Sequence, residues 1–260
     1  MTLGLTILGG AAAWPNPGQG CSAYLVTSDD TRLLLDCGAD TFLALREHTD
    51  YHALDAVVIS HCHADHMLDL VPFRYGLKYG PDPVNRRTPL WLPPGGIERL
   101  DALANALAYG SEDSSGFWSD VFDVHEYEPE RNLHLNGVTI EFAPTQHFVP
   151  CYAMRVNHPN GTAIGYSADT GAIEPLIAAM TGTSLLLVEA TERDHGEIAL
   201  EDRGHLTPQD AGRLATECGV ETLLLTHVWS ERADDEVIAA AALTFAGRIA
   251  VAKPGMHVGL

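Results

Sequence analysis

The feature that most restricts this chain is a junction. Residues 54–59 make a short apolar run of the kind expected for a buried strand. It breaks directly into Ser60-His61-Cys62-His63-Ala64-Asp65-His66. A strand of this type needs apolar layers on both sides, and here it must also end at a polar pocket. Three imidazoles and a carboxylate in so short a stretch are donor types that suit zinc and related divalent ions. On an extended stretch His61 and His63 point to one side. Asp65 and His66 follow after a turn and address a neighbouring position, so one loop can furnish two adjacent metal sites. Histidines do cluster on surfaces without any role, but four donors at the end of an apolar strand favour ligation.

The remaining elements place that junction in a layered fold. Apolar runs at 3–8, 23–26 and 32–35 are punctuated by turn residues and read as strands. Residues 41–48 and 67–79 read as helices, 80–89 as a proline-rich connector, 97–108 as an amphipathic helix, and 111–119 as a flexible polar segment. Strand-like runs recur from 121 to 166 (138–142, 152–156 and 163–166), with Asn160-Gly161 as a hairpin turn. The last third alternates helix 173–180, strand 184–189, helix 208–218, strand 222–225, helix 234–245 and strand 248–251. Thr207, Pro208 and Asp210 supply an N-cap, a first-position proline and a first-turn acid for the second-last helix. No long linker and no short repeat divides the chain. The expectation is one α/β (α+β) domain spanning residues 1–260, with two β-sheets face to face and helices outside.

Charge narrows the partners. With 15 Lys+Arg against 35 Asp+Glu the formal charge is −20, which opposes a nucleic-acid grip or an acidic membrane surface. The start lacks the basic residues and long apolar run of a signal peptide. No stretch approaches the roughly 20 apolar residues of a membrane helix. Five scattered cysteines without a CxxC pair signal no disulfide framework. Cytoplasm is the expected compartment.

The His61-x-His63-x-Asp65-His66 pattern resembles the signature of the metallo-β-lactamase-fold hydrolases. Further stretches resemble that family's motifs in its order: Leu34-Leu35-Asp36-Cys37-Gly38, Gln146-His147-Phe148, Tyr166-Ser167-Ala168-Asp169-Thr170-Gly171 and Leu225-Thr226-His227. A single histidine after a strand is more often a hydrogen-bonded polar residue. It is the ordered set that carries the resemblance, over almost the whole chain. It implies an αββα four-layer sandwich of two mixed sheets. It also implies two divalent metal ions, with zinc favoured and manganese or iron open. His61, His63 and His147 would hold one ion, Asp65, His66 and His227 the other, with Asp169 bridging and a water or hydroxide as second bridge. Two ions roughly 3.5–4 Å apart activate that water. The two ions outweigh two aspartates and a hydroxide, so the pocket stays positive inside a negative protein and suits a small anionic substrate.

Leu187-Val188-Glu189-Ala190-Thr191 and Gly204-His205-Leu206-Thr207-Pro208 are similar to the tRNase Z branch and its phosphodiesterase relatives. The resemblance implies that His205 donates a proton to the leaving oxygen, that Glu189 orients and charges His205, and that Asp65, with Asp169, positions the attacking hydroxide. His205 also lies two residues before a helix cap, where a local contact would explain it equally, and Glu189 could be a plain strand-end carboxylate. The long basic arm of tRNase Z has no counterpart here; 80–87 is short, with only Arg86 and Arg87 adjacent. Together with the charge, this favours a small diester such as a cyclic nucleotide over tRNA. Cys151-Tyr152-Ala153-Met154-Arg155 also looks like small bacterial phosphodiesterases. Lactone, ester or thioester hydrolysis remains the alternative, and a non-catalytic metal-dependent sensor a weaker one. Trp229 is a candidate to line the mouth, with Phe148 and Tyr75 candidates of the same kind after it, and His195 is a candidate to face substrate. The resemblance also favours a homodimer. His48, His52, His125, His134, His158 and His257 match no motif.

Overall fold

The computed structural model describes residues 3–28, 31–81, 86–108 and 114–260. The first part of the chain forms β1 (Gly4–Ala11), β2 (Gly20–Cys21), β3 (Ala23–Thr27), β4 (Arg32–Leu35), α1 (Thr41–His48), β5 (Ala56–Val58), α2 (Ala64–Met67), α3 (Leu70–Tyr79), β6 (Thr88–Leu92), α4 (Gly96–Leu107) and β7 (Phe122–Glu126). The rest forms β8 (Leu133–Leu135), β9 (Val138–Pro144), β10 (Tyr152–Asn157), β11 (Ala163–Tyr166), α5 (Glu174–Met180), β12 (Leu185–Glu189), α6 (Pro208–Glu217), β13 (Thr222–Thr226), α7 (Asp234–Ala241), β14 (Arg248–Val251) and β15 (His257–Gly259).

Two mixed sheets result. One runs β15-β1-β3-β4-β5-β6-β7 with β2 alongside β1, and the other β14-β13-β12-β11-β10-β9-β8. Each changes character partway across. The pairs β1/β3 and β3/β4 are antiparallel, whereas β4/β5, β5/β6 and β6/β7 are parallel. In the second sheet β8/β9, β9/β10 and β10/β11 are antiparallel, and β11 to β14 run parallel.

The two-residue period of a strand sorts the side chains into layers. Leu33, Leu35, Ala56 and Val58 from the first sheet meet Met154, Ile164, Leu185 and Leu187 from the second in the core between the sheets. The intervening residues face outward. Leu34 and Val57 pack under α1, α3 and α4 with Leu45, Phe73 and Leu100. Leu186, Val188, Leu223 and Leu225 pack under α5, α6 and α7 with Leu176, Leu214 and Val237. This is the αββα sandwich expected. It also explains why β5 and β12 read as unbroken apolar runs, since both of their faces are covered.

The differences from the sequence reading are local. The expected helix 67–79 starts earlier and divides, because Asp69 N–H turns to Cys37 O at 3.0 Å and His66 O accepts from Cys37 N. That pins α2 against the end of β4. Residues 88–92, partly assigned to the connector, are strand β6 despite Pro89. Thr88 N–H points to Val121 O, so the proline nitrogen faces the β5 side, where pairing begins only at Leu90. Helix α7 stops at Ala241 rather than 245, and its end tightens as Leu243 and Thr244 donate to Ala240 and Ala241. The hairpin at Asn160-Gly161 joins β10 to β11, and α6 carries the Thr207/Asp210 capping box. Residues 82–85 and 111–113 lie outside the described residues.

Candidate metal centre

The carboxyl ends of β5, β11, β12 and β13 come to one rim, the usual place for a site on parallel strands. The loop after β5 brings His61 and His63, and α2 brings Asp65 and His66. The turn after β9 brings His147, that after β11 Asp169, and the residue following β13 is His227. Two groups of donors gather there: His61, His63, His147 and Asp169, and beside them Asp65, His66 and His227. Each sequence-predicted ligand is therefore in the cluster.

In the first group His63 Nδ1 lies 3.2 Å from His61 Nε2 and 3.1 Å from His147 Nε2. In the second, His227 Nε2 lies 3.0 Å from Asp65 Oδ2 and 3.4 Å from His66 Nε2. Asp169 sits between, with Oδ2 3.6 Å from His61 Nε2 and 3.6 Å from His227 Nε2, and Oδ1 3.4 Å from His66 Nε2. Tetrahedral donors about 2.0–2.1 Å from a zinc ion stand about 3.3 Å from one another. These spacings match that value. Asp169 Oδ1 is buried without a hydrogen bond, a costly condition that a cation relieves. The donor set fits divalent metal ions.

The outer nitrogens confirm the orientation of the inner ones. His66 Nδ1 donates to Asp36 Oδ2 at 2.8 Å, and His147 Nδ1 to Gly204 O at 2.8 Å. Both partners only accept, so each ring in its neutral form turns a bare Nε2 inward. Ser60 Oγ gives its proton to Asp36 Oδ2 and accepts from His61 Nδ1 at 3.0 Å. Thr191 Oγ1 gives its proton to Glu189 Oε2 and accepts from His227 Nδ1 at 2.7 Å. With the rings neutral, lone pairs thus face one another at about the contact distance of a shared ion.

Asp36, Ser60, Thr191 and Tyr166 carry no role in the sequence reading, although Asp36 ends an apolar run, which marks a carboxylate bound to be buried. Its neighbour Gly38 has to be glycine, since a Cβ there would stand 2.0 Å from Asp65 O. Ala13, also unnoticed, donates its N–H to Asp65 Oδ2 at 2.9 Å. Ala13, Asp36, Ala168 and His227 all adopt positive φ. Such strained backbone collects where surrounding structure over-determines it.

Burial pushes His61, His63 and His147 below the ordinary imidazole range, which favours the neutral ligand form. Burial opposes charge on His66 too, but Asp169 and Asp36 outweigh it and raise its pKa. Burial would also raise Asp65 and Asp169; the imidazoles of His227 and His66 hold both well below the carboxylate range.

His205 stands at the edge of the cluster. Its Nδ1 lies 3.1 Å from Glu189 Oε1 and 3.9 Å from Asp169 Oδ2. Burial disfavours its charge, but Glu189 and then Asp169 push its pKa up to about 9. Glu189 is itself clamped by Thr170 N–H at 2.7 Å and Thr191 Oγ1 at 2.8 Å. Both residues face the centre; neither is a local cap or a stray strand end.

The rim residues divide. Phe148 is 68 % exposed, with its ring 5.2 Å from that of His147. It lies over Gly204, where a Cβ would come within 2.2 Å of the ring. Trp229 is at the rim, but Trp14 stacks on it at 5.3 Å and is itself 52 % exposed. The open aromatic face at this point is therefore that of Trp14. His195 is not brought to the cluster: its Nε2 is held 2.7 Å from Asp210 Oδ2 in the first turn of α6. The Asp210 side chain that builds the capping box draws it there. Tyr75, on α3, packs against Tyr79 and Phe117.

Comparison with known proteins agrees with this geometry. A model of the "Beta-lactamase superfamily domain" matches residues 31–228. An uncharacterized protein of Mycobacterium tuberculosis is 32% identical over 248 residues, covering 94% of this chain and 88% of that protein. The probable metallo-hydrolase YhfI of Bacillus subtilis is 29% identical, covering 96% and 97%. The crystal structure of YhfI superposes with a TM-score of 0.85 over 100% of this chain and 99% of that one. A diphosphatase of the PhnP family (TM-score 0.75, 19% identity, 100% and 98% covered) and the short form of human tRNase Z (0.73, 19%, 98% and 98%) share the fold. Among the described residues no helix is long and apolar enough to cross a membrane.

Proposed function

The chain belongs to the beta-lactamase superfamily and has its metallo-hydrolase fold, and from that premise we propose that it is a two-metal phosphodiesterase acting on a small, nucleotide-like diester such as a cyclic nucleotide. The observation that carries the reading is the His205–Glu189 pair. Glu189 occupies Nδ1 of His205, so the Nε2 proton is left to serve a leaving oxygen. The raised pKa keeps that proton in place at neutral pH.

Two divalent ions, zinc in our reading, would lower the pKa of a water and take up charge developing on the phosphoryl oxygens. His61, His63 and His147 would hold one, Asp65, His66 and His227 the other, and Asp169 both. The Ala13 N–H fixes Asp65. The Asp36 carboxylate and the Thr191 hydroxyl fix the rings of His66 and His227. Phosphorus chemistry is also the business of the diphosphatase and tRNase Z that share the fold. The charge of −20 speaks for a substrate small enough to meet the pocket and not the surface, in the cytoplasm of the cell.

The test is turnover by purified protein of measured metal content. Bis(p-nitrophenyl) phosphate and cyclic nucleotides should be cleaved, and lactones and thioesters should not. Lactone or thioester turnover without diesterase activity would replace this reading with acyl hydrolysis.

A further inference from the structure

A cavity of about 280 Å³ opens beside the metal centre and shares the wall formed by His63. Pro93 and Pro94, from the β6–α4 loop, and Pro150, from the β9–β10 turn, give it stiff apolar sides, and Arg99 and Glu98 of α4 stand on its rim. We infer that this cavity is a second anion subsite, in which Arg99 binds a phosphate or similar group beyond the scissile one. This inference rests on the diesterase reading and names the substrate class within it: nucleotides that carry a second anionic group.

The state of Arg99 is the main support. Most other basic side chains are engaged; Arg32 and Arg87 also lack a side-chain partner among the described residues, but neither lines this cavity. Arg193, Arg213 and Lys253 each reach a carboxylate, while Arg155, Arg203 and Arg232 are held by backbone carbonyls. Among the described residues, no ion pair or side-chain hydrogen bond holds the Arg99 guanidinium. An unpaired guanidinium in a chain of charge −20, on the wall of a cavity that touches a metal-ligand histidine, is well placed to receive an anion in a fork of N–H donors. Glu98 shares the rim, so this is not a broad basic patch. Only a group that reaches the guanidinium gains, which makes the contact selective. The volume is below the roughly 300–1,000 Å³ of drug-sized pockets, so it takes a sugar phosphate or similar fragment and not a polymer.

The test uses the metal-loaded protein and two probes, adenosine 5′-monophosphate and adenosine 3′,5′-bisphosphate, with binding measured by calorimetry. Wild type is expected to bind the bisphosphate roughly tenfold or more tightly, the scale of a charged hydrogen bond. Arg99→Gln should abolish that preference and leave monophosphate binding and bis(p-nitrophenyl) phosphate turnover unchanged. Arg99→Lys should keep part of it, because charge remains and the fork is lost. Arg99 is exposed on α4, so these changes spare the core. Equal weakening of both probes, or no change, overturns the inference while diesterase activity stands. Wild type that binds neither probe and cleaves no diester overturns the proposed function with it.

Discussion

Replacing Asp36 by asparagine tests how the ligands are held. The Asp36 carboxylate is fully buried. It accepts Ser60 N at 2.6 Å, Ser60 Oγ at 2.8 Å, His66 Nδ1 at 2.8 Å and Tyr166 OH at 2.7 Å, the last three on Oδ2. Asparagine keeps the size and tolerates the φ of 58° found there. It cannot keep the contacts. With its nitrogen in the Oδ2 place it only donates, so His66 Nδ1 must surrender its proton, which moves to Nε2, the atom facing the metal. With the amide turned over, its nitrogen confronts Ser60 N–H. In the first arrangement metal affinity at the Asp65–His66–His227 group should fall about 10–100-fold, or about 1.4–2.7 kcal/mol. In either, a buried donor left unpaired should cost about 1–3 kcal/mol of stability. A titration against a chromophoric chelator should show one ion held normally and the other weakly, and a thermal melt of metal-free protein should read the stability term. A folded Asp36→Asn protein that binds both ions as tightly as wild type and melts unchanged would refute the argument.

Three further outcomes are expected. His205→Ala should lower kcat on diesters by roughly 10²-fold or more with metal content unchanged. Since His205 has a raised pKa of about 9, it holds its proton below that pH, so kcat/KM should decline as pH rises toward 9; bound cations repel the proton and set the decline at or below that point, and the variant should lack it. His66 also has a raised pKa and must be deprotonated to ligate, so metal affinity should rise with pH and loading should release protons, measurable by calorimetry in buffers of different ionisation heat. Gly38→Ala, whose methyl would meet Asp65 O at 2.0 Å, should lower both the melting temperature and metal content, because neither backbone can yield freely.

Much of the fold was legible because it rests on local rules. Residues 32–35, 41–48, 163–166 and 248–251 form the expected elements at the expected bounds. Elements that depend on partners were less so. Strand β6 holds Pro89 only because β5 does not pair at that position, and the helix break at Leu68-Asp69 follows from a hydrogen bond to Cys37, far off in sequence. The ligands were legible because metal donors are few in type and follow strand ends. The partner of His195 was not legible for a related reason: Asp210 is assigned by the α6 cap and not by nearness in the chain.

By itself, then, the sequence determined the layers, through apolar period and turn residues, and the donor types of the metal centre, through side-chain chemistry. Tertiary structure alone decided how those donors are aimed. The proton of each imidazole is placed by an acceptor from another strand, as Asp36 does for His66 and Gly204 for His147. It also decided that Trp14 rather than Trp229 shows its open face and that Arg99 lines the same cavity as His63. Those facts depend on which loops meet at the rim. Two sheets packed face to face fix that meeting, and no spacing along one chain records it.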